Sequence, residues 1–335
     1  MSEPDPNRHP TDMPPGPWLA VLGMHRSGTS AITGALGALG FATPSPDDRM
    51  DWPESNPEHW ESSSITVYDD ELLADLGGSW EAPPDLPPRW EEGVVMRNAT
   101  SPVAVATAAF PHPGPLVWKD PRLCILLPYW LRVLPAPLAT VLVWRSPLAV
   151  ARSLEQRDGM YLADGIALWE RYNRSALEHL VSLDTYVCNY EALVDDPLAT
   201  IGSLADWLGS LPQFLDHSPR WNRDGAATTI AAETAPGTDS DDALLLPQHR
   251  ELISRLTAYQ GGHRPLGPTS LMSESGWTTA LLAARRGSRS RELAGLETRV
   301  QDKQTELDRL RQSTSWRITS PLRSLVSALK GRGHP

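Results

Sequence analysis

Cysteine is nearly missing from this chain: 335 residues carry two, Cys124 and Cys188. Both sit in apolar segments without C-x-x-C spacing. That excludes a disulfide framework and argues against a thiol metal or redox centre. They read as buried thiols of a reducing compartment, so we expect a cytoplasmic protein. Long apolar runs are absent too. Nowhere do about 18 apolar residues stand together, the length a membrane-crossing helix needs. The opening stretch "MSEPDPNRHPTDMPPGP" has no apolar core of a signal peptide, and residues 1–17 read as a disordered arm. Positive charge is in deficit: the net charge is −11 and the pI about 5.3. A broad nucleic-acid partner is therefore not expected. No tandem repeat of the lengths typical of solenoids is visible.

What is present is an alternation. Forty per cent of the residues are hydrophobic, enough for a sizeable core. "WLAVLG" (18–23), "GPLVWKD" (114–120), "ATVLVWR" (139–145) and "TYVCNYE" (185–191) read as strands. Helices are expected over Thr29 to Leu39, about Pro121 to Leu134, from Pro147 onward, over 166–183 and over 197–209. Gly40 ends the first of them. Gly34 and Gly37 inside it cost about 1 kcal/mol each against alanine, which close packing on a sheet would explain. Strands alternating with helices predict an α/β fold, a parallel sheet flanked by helices.

After about Arg220 the pattern fades, and "ETAPGTDSDDA" (233–243) reads as a loop. From Arg289 a heptad spacing begins: Leu293, Leu296, Val300, Leu307 and Leu310, with Lys303 at one core position. The predicted organisation is an arm (1–17), an α/β domain (18–222), a linker and peripheral segment (223–288), and a coiled-coil and basic amphipathic tail (289–335).

The loop "VLGMHRSGTSAIT" (21–33) joins the first strand to the first helix. Gly23 and Gly28 have the G-x-x-x-x-G spacing of a phosphate-binding loop, but Thr29 and Ser30 stand where a nucleotide hydrolase carries lysine. The basic residue is Arg26, inside the loop. Backbone N–H groups, hydroxyls and a helix start make an anion site. Arg26 at a helix start is electrostatically misplaced unless an anion compensates it. Phosphoryl transfer also needs a magnesium-holding carboxylate; Asp120 is the nearest candidate, and Lys119 and Arg122 flank it.

"GMHRSGTSAI" resembles the 5′-phosphosulfate loop of sulfotransferases that use 3′-phosphoadenosine 5′-phosphosulfate. The resemblance is to bacterial members and the branch acting on carbohydrates and proteins. It implies a P-loop-like fold and a donor held at its 5′ end by Arg26, Ser27, Gly28, Thr29 and Ser30, with Arg26 facing the bridging oxygen. A second family element is an Arg at a strand end followed eight residues later by a Ser. "VLVWRSPLAVARSLEQR" supplies Arg145 and Ser153, the implied 3′-phosphate contacts, and Arg157 matches a further basic contact. Ser153 and Arg157 are i, i+4 and share a helix face. "NYEALVDDP" (189–197) is similar to a stretch whose tyrosine lies near the adenine, pointing to Tyr190; Ala192 departs from the family's usual Asp. "WKDPRL" (118–123) resembles a Lys-Asp-Pro stretch, and Lys119 is implied to neutralise the transferring sulfuryl group. No metal is implied.

An acceptor hydroxyl needs a base, typically worth about 10²–10⁴-fold in rate. "NPEHWESSSITVYDD" (56–70) resembles a segment in which a glutamate after an aromatic is the base. That register selects Glu61, with Glu58 and His59 as competitors. No histidine matches the base of small-molecule sulfotransferases; His112 lies in a proline-rich loop. Trp52, Trp60, Trp80 and Trp90 lie where the acceptor is expected, which favours a glycan or glycoconjugate, though core packing is the commoner use of tryptophan. The tail "STSWRITSPLR" resembles those of bacterial enzymes that build surface polysaccharides. Its basic, apolar character fits a membrane surface or a protein partner, and heptads also pair copies of one chain into a homo-oligomer. The rival readings are a degenerate P-loop nucleotide kinase and a non-catalytic scaffold of polysaccharide assembly.

Overall fold

The computed structural model describes residues 16–50, 60–94, 101–111, 114–134, 138–231 and 244–312. Glu58, His59, Trp52, His112, the acidic 233–243 stretch, most of the N-terminal arm and the tail from 313 lie outside the described residues. The chain divides into two compact units, the first ending at Ala283 and the second starting at Ala284.

In chain order the elements are β1 (Trp18–Leu22), α1 (Thr29–Leu39), α2 (Ser63–Asp75), α3 (Pro102–Ala109), β2 (Leu116–Lys119), α4 (Leu123–Val133), β3 (Leu138–Trp144), α5 (Pro147–Asp158), α6 (Leu162–His179), β4 (Thr185–Asn189), α7 (Tyr190–Asp195), α8 (Pro197–Ser210), α9 (Arg223–Ala231), α10 (Pro247–Ala258), β5 (Gly261–His263) and α11 (Gly276–Gln312). The fold is α/β. Its sheet runs β2-β1-β3-β4-β5. The first four strands are parallel, as expected, and β5 pairs antiparallel with β4.

All five residues of β1 are buried. Alternate side chains face opposite layers, as a strand's period of two requires. Trp18, Ala20 and Leu22 join one core with α2, α4, α6 and α10, while Leu19 and Val21 join a second with α1, α8 and α9. Helices on both faces are what an internal parallel strand needs. Because β1 lies between β2 and β3, the chain leaves its carboxyl end at a switch point, where open α/β sheets form a ligand crevice.

Three differences from the sequence reading have physical causes. Gly34 is not pressed on the sheet: an added Cβ would lie 3.1 Å from the Trp60 indole nitrogen and 3.6 Å from Thr229 on α9. The strand expected to include Tyr190 stops at Asn189, because the Asn189 side chain accepts from the Ala192 N–H and starts α7. The 223–288 segment, read as linker, carries α9, α10, β5 and the start of α11, with Leu252, Leu256, Leu266 and Leu282 in the core.

Glu170, fully buried on α6, ties this segment down. It accepts from Arg174, His249, the Ser275 N–H and hydroxyl, and Thr278. In the second unit α11 continues to Gln312, and Leu293 and Leu296 are exposed on it. Of the heptad positions the described side chains are Leu293, Leu296 and Lys303, and Lys303 pairs with Glu306 at 2.8 Å. Among the described residues, no helix is long and apolar enough to cross a membrane.

Candidate functional site

Four strand ends build the site. After β1 the chain turns at Gly23, where φ is 155° and an added Cβ would lie 2.3 Å from the Val143 carbonyl. Arg26 follows in the left-handed region (φ 69°), a conformation that costs a non-glycine residue about 1–3 kcal/mol and concentrates at functional sites. Gly28, at φ 91°, caps α1, and a Cβ there would meet the Tyr190 ring at 2.0 Å. Only glycine lets the loop lie against Tyr190.

Arg145 follows β3. Its guanidinium donates to the Arg26 carbonyl at 3.3 Å and stands 5.1 Å above the centre of the Tyr190 ring. The Arg145 carbonyl accepts from Trp169, and the next N–H, of Ser146, donates to Glu191 at 2.9 Å. Nearly two turns into α5, Ser153 accepts from Arg26 Nε at 2.8 Å. Arg26 and Ser153, 127 residues apart, therefore meet above the loop. Arg157 stands 5.5 Å over the Trp80 ring and pairs with Asp158 at 2.7 Å. It bonds neither Ser153 nor Arg145 directly.

These cations act on one another. Burial lowers the Arg26 pKa, and Arg157 and Arg145 lower it further. Among the described residues neither Arg26 nor Arg145 has a carboxylate within ion-pair distance. Buried polar atoms without a partner cluster here as well: Ser27 Oγ, Arg145 Nε and His25 Nε2. Such atoms are costly unless a ligand satisfies them. The loop thus presents buried donors and uncompensated positive charge, which together suit a polyanion.

At the end of β2 a second group forms. Lys119, buried, donates to Ser30 Oγ at 3.2 Å and to Glu61 Oε1. Arg122 Nη1 lies 3.9 Å from Glu61 Oε2, while the same guanidinium grips Asp70 through two bonds of 2.7 and 2.9 Å. Glu61 sits just before Ser62, whose hydroxyl caps α2. The structure therefore brings Glu61, Lys119 and the loop together. Asp120, the candidate metal carboxylate, instead turns to the Arg122 N–H and guanidinium.

The described tryptophans of the expected acceptor region do not stand as open platforms. The Trp60 ring lies under Arg49 at 4.5 Å, Trp80 under Arg157 and beside His25, and Trp90 packs against the core. Four residues outside the sequence assignment matter here. His25 stacks on Trp80 at 4.5 Å, and burial with Arg122, Arg157, Lys119 and Arg26 holds its pKa well below 6.5. Glu191 ties the Arg145 turn to Asn189. Arg122 and Asp70 hold Glu61. The His25 position inside the loop was the readable signal; the other partners come from separate elements.

No family model matches the chain, and no curated protein matches it. Solved structures similar to it include the sulfotransferase domain from the Synechococcus PCC 7002 olefin synthase, at 17% identity and TM-score 0.39, covering 83% of this chain and 97% of that one. The sulfotransferase domain from the curacin biosynthetic pathway aligns at 15% identity and TM-score 0.38, covering 72% and 98%. Sulfotransferase STF1 from Mycobacterium tuberculosis H37Rv aligns at 16% identity and TM-score 0.37, covering 74% and 78%.

Proposed function

We propose that this chain transfers a sulfuryl group from 3′-phosphoadenosine 5′-phosphosulfate to an acceptor hydroxyl. The observation that carries the reading is the meeting of Arg26, Ser153 and Arg145 over the loop, with buried donors left unsatisfied beside them. Two anionic groups fit this arrangement better than one. The loop from Arg26 to Ser30 would hold the 5′ end, Arg145 and Ser153 the 3′-phosphate, and Tyr190 the adenine side. Arg157 would turn from Asp158 and Trp80 to join them.

The donor supplies an activated sulfuryl group. A bond forms from the acceptor oxygen to sulfur, the bond from sulfur to the bridging oxygen breaks, and the electron pair leaves on phosphate. Arg26 and the loop N–H groups meet the charge developing on that oxygen; such preorganised donors are worth about 3–4 kcal/mol each in rate. Glu61 takes the acceptor proton. Lys119, held between Ser30 and Glu61, orients Glu61 and adds positive charge beside the transferring group. The nucleotide-kinase alternative finds less support, since Asp120 is committed to Arg122.

We propose a glycan or cell-surface polysaccharide as acceptor, on the resemblance of residues 56–70 to a segment of the branch acting on carbohydrates and proteins; Trp60, Trp80 and Trp90, covered by Arg49, Arg157 and the core, do not carry it. Products carrying the mass gain of one sulfuryl group would identify the acceptor. The exposed Leu293 and Leu296 support docking of α11 on a partner or a second copy, and the basic tail supports a cytoplasmic protein peripheral to a membrane.

The test is thermal unfolding with 3′-phosphoadenosine 5′-phosphate, with and without EDTA. At 100 times its dissociation constant it should stabilise the protein by about 2.7 kcal/mol in both cases. Stabilisation by ATP with magnesium but not by the bisphosphate would overturn the reading. In the same protein, Glu61→Gln should leave bisphosphate affinity within about twofold and lower turnover about 10²-fold or more, the range of a lost general base. Unchanged turnover would move the base to Glu58 or His59.

A further inference from the structure

Glu191 takes no part in the chemistry proposed above, yet both of its carboxylate oxygens are occupied. Oε1 accepts from the Ser146 N–H at 2.9 Å, and Oε2 accepts from Asn189 Nδ2 at 2.8 Å. Asn189 is itself fixed twice. Its Oδ1 accepts from the Ala192 N–H at 2.9 Å, and its own N–H donates to Gln260 Oε1 at 2.9 Å. A line of hydrogen bonds therefore runs from Gln260, between α10 and β5, through the start of α7 to the turn between β3 and α5.

That turn carries Arg145. The carbonyl of Arg145 and the N–H of Ser146 belong to one peptide unit, which is planar. The Trp169 indole donates to its oxygen at 2.9 Å, and Glu191 accepts from its nitrogen. A plane held at both ends resists rotation, so the backbone that aims the Arg145 side chain is fixed. At the far end the guanidinium meets the Arg26 carbonyl and the Tyr190 ring, and Nε is buried without a partner. Glu191 does not neutralise it. Among the described residues no Lys or Arg lies within ion-pair distance of Glu191, whose carboxylate is spent on a backbone N–H and an amide.

We infer that Glu191 is the positioning residue for Arg145, and that through Arg145 it sets the preference for a nucleotide carrying a 3′-phosphate. The choice of nucleotide rests on the sulfotransferase reading; the held peptide does not. A guanidinium recognises phosphate through directed N–H bonds, so its direction matters as well as its charge. Removing Glu191 has two opposed effects. It takes an anion away from a phosphate site, which favours binding. It also frees the Arg145–Ser146 peptide, which opposes binding. Glu191 is only half-buried, and solvent and salt screen the charge effect, so the loss of the grip should prevail.

Calorimetric titration of the full chain with 3′-phosphoadenosine 5′-phosphate and with AMP separates the two effects. Glu191→Ala should weaken the bisphosphate about fivefold to tenfold, the net worth of an ordinary hydrogen bond, and leave AMP within about twofold. Glu191→Gln removes the charge but keeps an acceptor for the Ser146 N–H, so it should show the same selective loss at about two- to threefold. It carries the test if the alanine variant does not fold. In an Arg145→Ala background, Glu191→Ala should change bisphosphate affinity by less than about twofold, because nothing is left to position. Unchanged or tighter bisphosphate binding in both single variants overturns the inference. So does an equal loss for both nucleotides, or a full effect without Arg145.

The grip itself is read without any nucleotide. In the full chain labelled with nitrogen-15 serine, the Ser146 amide is the signal that Ser146→Ala removes. Its hydrogen should exchange with deuterium at least about tenfold faster in Glu191→Ala than in wild type, with Glu191→Gln between them. Equal rates in wild type and Glu191→Ala would remove the positioning role. If the wild type binds neither nucleotide, the sulfotransferase reading and the 3′-phosphate preference fall together, and amide exchange alone decides the grip. If it binds the bisphosphate and the Glu191 variants bind it equally well, this inference fails and that reading stands.

Discussion

Glu170 and Arg26 both carry charge inside the first unit, and their surroundings are opposites. The Glu170 carboxylate takes five hydrogen bonds, from Arg174, His249, Thr278 and two from Ser275. Hydrogen bonds to the ionised form bring its pKa down despite burial. Arg26 makes one side-chain bond among the described residues, to Ser153, and its pKa is lowered by burial and by two neighbouring arginines. The Glu170 cluster is complete as folded. The Arg26 cluster has like charges facing each other, a strained backbone and donors with no acceptor. A fold tolerates that incompleteness where a ligand completes it. Buried charge alone therefore does not mark a site; the balance of partners around it does.

The largest expected effect comes from breaking the complete cluster. Glu170→Ala removes the carboxylate that accepts from Arg174, His249, Ser275 and Thr278, and leaves the buried Arg174 guanidinium with Glu251 at 3.7 Å as its anion. Removing one partner of a buried pair typically costs about 3–5 kcal/mol, and we expect that loss in denaturant unfolding, with or without bisphosphate. Glu170→Gln, which keeps an acceptor for some of the donors, should lose less and covers the case in which the alanine variant does not fold. A loss below about 1 kcal/mol, the ordinary effect of a point change, would show that the cluster is not what holds α10 and the start of α11 to α6.

Arg145→Ala should do the reverse. Unliganded stability should stay within about 0.5 kcal/mol of wild type, as for a change away from satisfied contacts, or rise as repulsion from Arg26 is relieved. Affinity for the 3′-phosphorylated nucleotide should fall about 10- to 150-fold, the equivalent of about 1.5–3 kcal/mol for a charge-assisted bond. The nucleotide lacking that phosphate should be nearly unaffected in calorimetric titration. Equal losses for both nucleotides would place Arg145 elsewhere, and a large loss of unliganded stability would make its cluster structural after all.

The contrast also explains what the sequence disclosed. The α1 boundaries, Thr29 and Leu39, were readable because glycines punctuate both ends. The four parallel strands were readable as short apolar runs. β5 was not, since Gly-Gly-His has no strand propensity, and Gly262 is there because an added Cβ would strike the Trp207 ring at 2.1 Å. Apart from Arg174, four residues on, the Glu170 cluster was invisible because its partners arrive from 79 to 108 residues away with no pattern linking them. Arg26 and Ser153 are farther apart still, yet the resemblance of two motifs placed both at one site. Trp80 went the other way: a ring expected to face an acceptor is covered by Arg157 and His25.

The smallest expected effect concerns His25, which belongs to the incomplete cluster yet carries no charge. Burial is the first cause of its lowered pKa, and Arg122, Arg157, Lys119 and Arg26 follow. In the unfolded chain its pKa returns to about 6.5. Below that pH the unfolded state binds a proton that the native state refuses, so stability is fully present above about 6.5 and falls as the pH drops. The slope from one such group is about 1.4 kcal/mol per pH unit. His179 contributes a slope of the same sign, since burial holds it near about 4. The informative quantity is therefore the difference between wild type and His25→Asn, measured by denaturant unfolding from pH 7 to 5. His25→Asn should be flatter by one proton. Saturating 3′-phosphoadenosine 5′-phosphate should narrow the difference, because an anion among those four cations removes part of what keeps His25 neutral, while burial keeps the rest. Identical slopes in wild type and variant would mean that His25 titrates normally and that the positive field over the loop is weaker than its geometry implies. A difference that bisphosphate leaves untouched would put the anion beyond the reach of these cations, and the phosphate assignments of Arg26 and Arg157 would have to move with it.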